Sequence, residues 1–428
     1  MTKNIFNLKC MLIAAAMIFC SVSIGRAGSE EAENLKKQIT ELSGRITQLE
    51  ANQKTDNEDN QSENLKLPDS LKWIEKVKIS GDFRYRHEHI DTETGTINPD
   101  WKLGRDRERI RARLMIEALI NDEWDVGFRF ATGERSILAS DEDMFGDPIS
   151  ANQTLKQYFS DKDLWIDLAC FNWHPTSVSG LNVSGGKIKN PFYSVGKNQL
   201  IWDGDLNPEG FGVSHSIDLN KSDKLFFNGA GLWVDESSSG ADTSLWGAQT
   251  YIKHSLENSD YILGGAGYLD YGNIQGKTDT YDILAGNTGS GSWASDFDIL
   301  ELFGEYGTKL KEFPVSVYGS WVNNLVASSN GDTGFIVGAK FNKAGKPGSW
   351  ELSYDYRELE ADAVPGAFTD SDFGGGGTDT RGHCVDLTYQ LAKNVQMSTT
   401  YFQSVNDGQS GGCDLDYRRL HASLVLKF

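Results

Sequence analysis

Five arginines at every second position, Arg105, Arg107, Arg109, Arg111 and Arg113, are the side chains of this sequence best spaced to act together. Successive side chains of an extended strand point to opposite faces, so a period of two puts all five on one face. Arg84 and Arg86 hold the same relation to their neighbours Val77, Ile79, Phe83 and Tyr85, and Arg129 holds it between Phe128 and Phe130. A guanidinium stays charged at any relevant pH, and its fork of donors matches the oxygens of a carboxylate or phosphate. Such a row is a fixed positive wall that attracts anions and orients dipolar solutes. A second charged group, Asp203, Asp205 and Glu209, lies in the segment 189–210 with Pro191, Phe192, Trp202 and Pro208. Proline and aromatic residues predict a folded loop there, and carboxylates bent toward the arginines would set a transverse field across a narrow passage. Two blander readings stand beside these. The arginines serve only to pair with Asp82, Asp125 and Asp167, or the Asn-Pro and Asp-Gly steps are ordinary turn chemistry in an external loop.

Bond-making chemistry finds no support. There is no Gly-x-Ser-x-Gly elbow and no His-Glu-x-x-His, and the run Gly374–Gly377 lacks the Lys and following helix of a phosphate loop. The seven histidines, His87, His89, His174, His215, His254, His383 and His421, are scattered, and no Cys/His cluster stands at ligand spacing. Carboxylates are so abundant that some pair always resembles a hydrolase dyad. No catalytic residue, cofactor or metal is therefore expected.

The elements that must position the arginines are strands. Ile110, Ala112, Leu114, Ile116 and Ala118 alternate with the Arg row, and Trp124, Val126, Phe128 and Phe130 alternate with Asp125, Gly127, Arg129 and Ala131. From Trp73 onward this pattern predicts sixteen strands, near 76–89, 106–120, 124–133, 164–172, 180–188, 211–219, 224–234, 244–254, 261–270, 297–307, 314–324, 334–341, 350–359, 383–391, 395–404 and 417–428. Short and long connections alternate along the chain. A transmembrane antiparallel up-and-down β-barrel has short periplasmic turns and long outer loops, whereas a soluble sandwich has no reason to sort its loops by end. In the barrel reading the apolar parity meets lipid and the polar parity a wet lumen. The parity is enforced, because an arginine on the lipid side costs roughly 2–4 kcal/mol near the midplane. The last strand sets Leu420, Ala422, Leu424, Leu426 and the terminal Phe428 on one parity. Trp73, Trp124, Trp233, Trp246, Trp321 and Trp350 fall near strand ends, as interfacial girdles require.

The N-terminus fits export. Lys3 and Lys9 precede a short apolar run, Met11 to Phe19, and Gly25 and Ala27 stand at −3 and −1 of a cleavage site, so 1–27 reads as a signal peptide. An uncleaved anchor would need about 20 apolar residues. Residues 28–53 follow as a short coiled-coil helix, with Ala32, Leu35, Ile39, Leu42, Ile46 and Leu49 spaced by threes and fours. A polar linker, 54–72, leads to the barrel, 73–428. The formal charge of −20 becomes −23 once Lys3, Lys9 and Arg26 are removed, which argues against nucleic acid as a partner. Cys384 and Cys413 are placed where a bridge is conceivable, and spacing does not decide it.

Two stretches resemble the putative porin family of Gram-negative outer-membrane β-barrels: Gly104 to Asn121 with Trp124 to Gly133 directly after it, and Gly186 to Gly210. The resemblance covers most of the chain after about residue 72. It implies an outer-membrane barrel that passes small hydrophilic solutes and ions by diffusion, set in outer-membrane lipid, with the three copies usual for porins; the even strand count returns both termini to one side, the periplasm if the N-terminal helix lies there. Ile at a and Leu at d of the helix favour two-stranded coils instead. The pore-lining wall would comprise Arg84, Arg86, Arg107, Arg109, Arg111, Arg113 and Arg129, and the constriction Asp203, Asp205 and Glu209. Two alternatives remain open: an anion channel selective for phosphate or an organic acid, and a plugged structural or adhesive barrel.

Overall fold

In the computed structural model the described residues are 69–93, 102–135, 146–156, 158–238, 240–277, 284–406 and 414–428. Trp73–Phe428 forms one compact unit. The expected signal peptide and coiled-coil helix fall on residues outside the described set. The helical segment that leads into the first strand is a 3-10 stretch, Asp69–Lys76.

The strands are β1 (Val77–Glu93), β2 (Lys102–Asn121), β3 (Trp124–Thr132), β4 (Gln153–Thr154), β5 (Leu164–Trp173), β6 (Leu181–Lys187), β7 (Glu209–Asp218), β8 (Asp223–Asp235) and β9 (Thr243–Ser255). They continue as β10 (Tyr261–Gly272), β11 (Phe297–Leu310), β12 (Phe313–Asn324), β13 (Thr333–Asn342), β14 (Trp350–Leu359), β15 (Thr380–Ala392), β16 (Val395–Asn406) and β17 (Leu415–Lys427). Each long strand pairs antiparallel with its sequence neighbours, and β1 pairs with β17, which closes the sheet. The two-residue β4 lies against β2 at Arg109 and Ile110 while β3 pairs directly with β5, so the barrel has sixteen staves. Closure leaves no strand edge, the condition under which a sheet crosses lipid.

At the seam, Phe428 exchanges backbone hydrogen bonds of 3.0 and 3.1 Å with Gly81. Its ring occupies the space a side chain at position 81 would need, 2.6 Å from where a Cβ would stand. The alternation fixes which face is which: Ile79, Phe83 and Tyr85 are exposed on the outer wall while Arg86 and Glu88 are buried within. Aromatics gather at the short-turn end, with Trp124 against Phe171 and Trp173, and Phe313 against Phe341 and Trp350.

The lumen departs from a uniformly wet interior. At the long-loop ends of β8 to β14, inward Leu232, Leu245, Leu269, Tyr271, Phe297, Ile299, Val322, Ile336 and Leu359 are buried. They pack with Ile188, Leu200, Ile201 and Trp202 of the loop 188–208, with Ala363 and Val364 of the loop 360–379, and with Trp293. Each such side chain contributes about 1.5–3 kcal/mol by leaving water. One side of the interior is thus a dry core that pins loops against the wall.

Candidate functional site

The docked loop 188–208 reaches across the interior to β11, β12 and β13 through a single 3-10 turn, Val195–Lys197. Val195 is fully buried with Leu263, Phe303 and Tyr318. Gly196 adopts φ 61°, and a Cβ there would stand 2.5 Å from the Tyr318 ring, so both the backbone and the contact require glycine. The backbone N–H of Tyr193 donates to Gln249 Oε1 at 2.8 Å, and Gln249 Nε2 returns a bond to the Tyr193 carbonyl at 2.9 Å. A second loop meets it: Asp203 N–H donates to the Phe368 carbonyl at 2.7 Å, and Ser371 N–H to the Asp203 carboxylate at 2.9 Å.

Facing these loops is the wall of β1, β2 and β17, where the arginines divide into two networks. In the first, Arg111 reaches Asp82 at 2.9 Å and Asp205 at 3.2 Å, and Arg113 reaches the same two carboxylates at 2.7 and 3.3 Å. In the second, Glu88, wholly buried, is held by Arg86 at 3.4 Å, Arg109 at 3.5 Å, Arg419 at 3.1 Å and Arg107. Asp372, from the loop 360–379, joins Arg86 at 3.1 Å and Arg419 at 2.7 Å. Arg129 pairs with Asp167 at 2.5 Å. Arg84 differs from all of these: its Nη2 donates to Asn152 at 2.5 Å, and no carboxylate among the described residues lies within ion-pair distance of it.

The loop carboxyls respond to their surroundings in opposite ways. Burial pushes the Asp205 carboxyl up, and Arg111, Arg84 and Arg113 more than reverse this, leaving it below the ordinary range. Burial likewise opposes ionisation of Asp372, and Arg419, His421 and Arg86 bring it well below. Asp203 has no such company. Burial, then the charges of Asp370 and Asp205, raise it well above the ordinary value.

Between wall and loop lies a cavity of about 740 Å³. Arg84, Arg86, Arg111, Arg113, Arg129, Lys189 and Lys197 line it against Asp203, Asp205 and Asp372, so cationic side chains outnumber the lining carboxylates among the described residues. Asp203 and Asp205 both line this cavity, Asp205 paired with Arg111 and Arg113 and Asp203 bonded to the second loop. Glu209 does not. It begins β7, pairs across the ladder with Lys187 at 3.1 Å, and borders a separate cavity of about 820 Å³. The strand starts two residues earlier than its alternation suggests, and Lys187 directly opposite neutralises the carboxylate. Asp125 likewise meets Asn172 at 2.6 Å and His174 at 3.1 Å near the short turns, away from the arginines. Glu88, Arg419 and His421 escaped the sequence reading although they sit on the polar parity of the first and last strands. Asp372 and Asn152 left no local signal, since loop docking brings them in.

Comparison with known families decides the identity. Residues 91–298 and 293–410 match the family model described as "Putative porin". The chain belongs to the putative porin family. Among solved structures, this porin is similar to Pseudomonas putida OprB at high pH, with a TM-score of 0.51 and 11% identity over 84% of this chain and 96% of that one. It also matches Salmonella typhi OmpF in complex with daunomycin, with a TM-score of 0.47 and 11% identity over 82% and 97%. The outer membrane channel DcaP of Acinetobacter baumannii gives a TM-score of 0.44 and 12% identity over 82% and 97%. At such identity the OprB likeness supports the barrel fold alone. A search of curated protein sequences gives no match. The family match and the closed barrel make this porin an outer-membrane channel.

Proposed function

We propose that this porin passes small hydrophilic solutes and ions by passive diffusion, with anions favoured over cations, through the space between the arginine wall and the loop 188–208. The observation that carries the reading is the lining of the 740 Å³ cavity, in which seven cationic side chains face three carboxylates among the described residues. In water, one uncompensated charge at about 7 Å shifts an ion's free energy by about 0.6 kcal/mol, enough to bias permeation without creating a tight site. Arg84, Arg86, Arg111, Arg113 and Arg129 form the basic wall of this reading, with Arg107 and Arg109 outside the cavity lining and paired to Glu88, and with Asp203 and Asp205 as the loop carboxylates. Export with cleavage after Ala27, a periplasmic coiled-coil helix over 28–53, a linker over 54–72 and assembly as trimers belong to the same reading. The sequence of the N-terminus supports the first three.

A second reading, a plugged structural barrel, is favoured by the dry core, which pins loops inside the wall. Planar-bilayer recording of the purified protein separates the two. Stable open steps with a reversal potential on the anion side of zero in a salt gradient support the porin reading. Absence of steps overturns it in favour of the plug, and cation selectivity overturns the assigned charge preference.

A further inference from the structure

The staves of the barrel end at unequal heights on the long-loop side. β5 keeps β3 beside it as far as Leu164, opposite Thr132, whereas its last rung with β6 sets Ala169 against Lys187. Leu164 to Leu168 therefore stand clear of β6. β6 and β7 stop together at Lys187 and Glu209, and the chain between them turns inward, where Ile188, Leu200 and Trp202 join the dry core. β8 carries on past its last rung with β7, Gly210 against Leu232, to Asp235. The wall thus has a notch between β5 and β8, with the Lys187–Glu209 pair as its sill.

Two adjoining cavities show that the notch is open. The cavity of about 820 Å³ touches Leu164, Trp165, Ile166 and Asp167 in succession. Of these, Leu164 and Ile166 are exposed on the outer wall, while Asp167 meets Arg129 inside. A second cavity, of about 200 Å³, touches Leu232, buried within, and Trp233, exposed outside. Neighbouring side chains of a strand point to opposite faces, so a space that meets both must pass around the strand's free edge. Pro148, Asn207, Val234 and Phe368 border both cavities, which makes them one cleft. Asp205 and Asn207 stand between it and the arginine cavity, since they line both.

The cleft is apolar at one end and acidic at the other. Trp202, Leu206, Leu232, Leu245, Tyr271 and Phe368 line the 200 Å³ part, which exceeds the roughly 150 Å³ in which an apolar cavity holds benzene. The larger part holds Asp147, Asp167, Asp205 and Glu209, with Lys187 as the one cationic lining residue among the described ones. Arg129 matches Asp167, Arg111 and Arg113 match Asp205, and Lys187 matches Glu209. Asp147 has no such match. Its carboxylate accepts from the backbone N–H of Ile149 at 3.1 Å, and no cationic side chain among the described residues lies within ion-pair distance. It adjoins Pro148, where the two parts of the cleft meet.

We propose that this cleft binds an amphipathic organic cation, with an apolar ring or short chain in the smaller part and an ammonium group at Asp147. Such solutes gather at the membrane interface, and the notch meets that interface beside the exposed ring of Trp233. The test is calorimetric titration of 2-phenylethylammonium into the folded protein in non-ionic detergent. Phenylacetate supplies the ring with the opposite charge, and tetramethylammonium the charge without the ring. The expected result is one saturable site per chain for the amine and none for either control. Affinity should fall about tenfold or more in Asp147→Asn, which removes a charge-assisted contact. It should be lost in Val234→Trp, which fills the junction of the two parts. Asp147→Asn is near-isosteric and lies in a loop, so it keeps the test decisive should Val234→Trp fail to fold. Binding of either control as tightly as the amine, unchanged affinity in a folded variant, or no saturable uptake would each overturn the assignment. Asp147 and Val234 lie outside the arginine cavity, so failure here leaves the proposed anion preference standing.

Discussion

Replacing Arg84 with alanine removes the one wall arginine that, among the described residues, has no carboxylate within ion-pair distance. No acid is orphaned by the change, so the effect should be electrostatic with little structural loss. A sphere of 740 Å³ has a radius of about 6 Å, and an ion near its centre then lies about 7 Å from the guanidinium charge. Coulomb's law in water gives about 0.6 kcal/mol at that distance, of opposite sign for anion and cation, which changes their permeability ratio about sevenfold. At 0.1 M salt the Debye length of about 10 Å halves the energy and reduces the change to about threefold, and at 1 M it nearly vanishes. Reversal potentials of wild type and Arg84→Ala, measured across salt gradients at low and high mean concentration, read this directly. An unchanged ratio at low salt would refute the claim that ions pass beside Arg84. A change that persists at 1 M would refute its electrostatic origin. Arg111→Ala makes a poorer test, since it leaves both Asp82 and Asp205 leaning on Arg113 alone.

Two further outcomes follow from the same geometry. The Asp203 carboxyl is raised, so it takes up a proton as pH falls toward, but still above, the ordinary carboxylate pKa of about 3.9, while Asp205 and Asp372, both lowered, stay charged. Its ionised form opposes burial, so loop docking is firmest on the acid side and weakens as pH rises through the folded pKa. Anion preference should rise on acidification in that window, and Asp203→Asn should flatten the rise; an identical profile in the variant sinks the assignment. Gly196→Ala meets both a φ of 61° and the Tyr318 ring, and the backbone term alone costs about 1–2 kcal/mol. Single-channel records should show larger and noisier open steps as the tip leaves Tyr318, and unaltered steps would mean the tip does not bound the passage.

The sixteen staves were legible because a period of two is a local signal repeated over long strands. Long and short connections then sorted themselves by end without tertiary information. Asp203 and Asp205 were legible because turn residues announced a folded loop, and Glu209 was misplaced because strand starts carry the weakest pattern. The dry core was harder to see. In β11 both parities are apolar, with Phe297 and Ile299 inside and Leu300 and Leu302 outside, and such a doubled row marks a wall covered on both faces. The Glu88 network draws on three strands and a loop, and no window of sequence contains it.

The wall that faces the cavity is built from β1, β2 and β3, so the passage lies beside the joint where β1 meets β17 and the barrel closes on itself. Glu88 of β1 meets Arg107 and Arg109 of β2 and Arg419 of β17 across that joint. A slip of one residue in the β1–β17 ladder would turn the whole of β17 inside out, pushing Arg419 and His421 into lipid and leaving Glu88 without its β17 partner. A slip of two would keep the parity and break the pairing. The charge cluster therefore works as a lock with a single key position, in which correct closure and the finished charge pattern are one event. A barrel assembled wrongly at its last step would carry its fault in the pore itself.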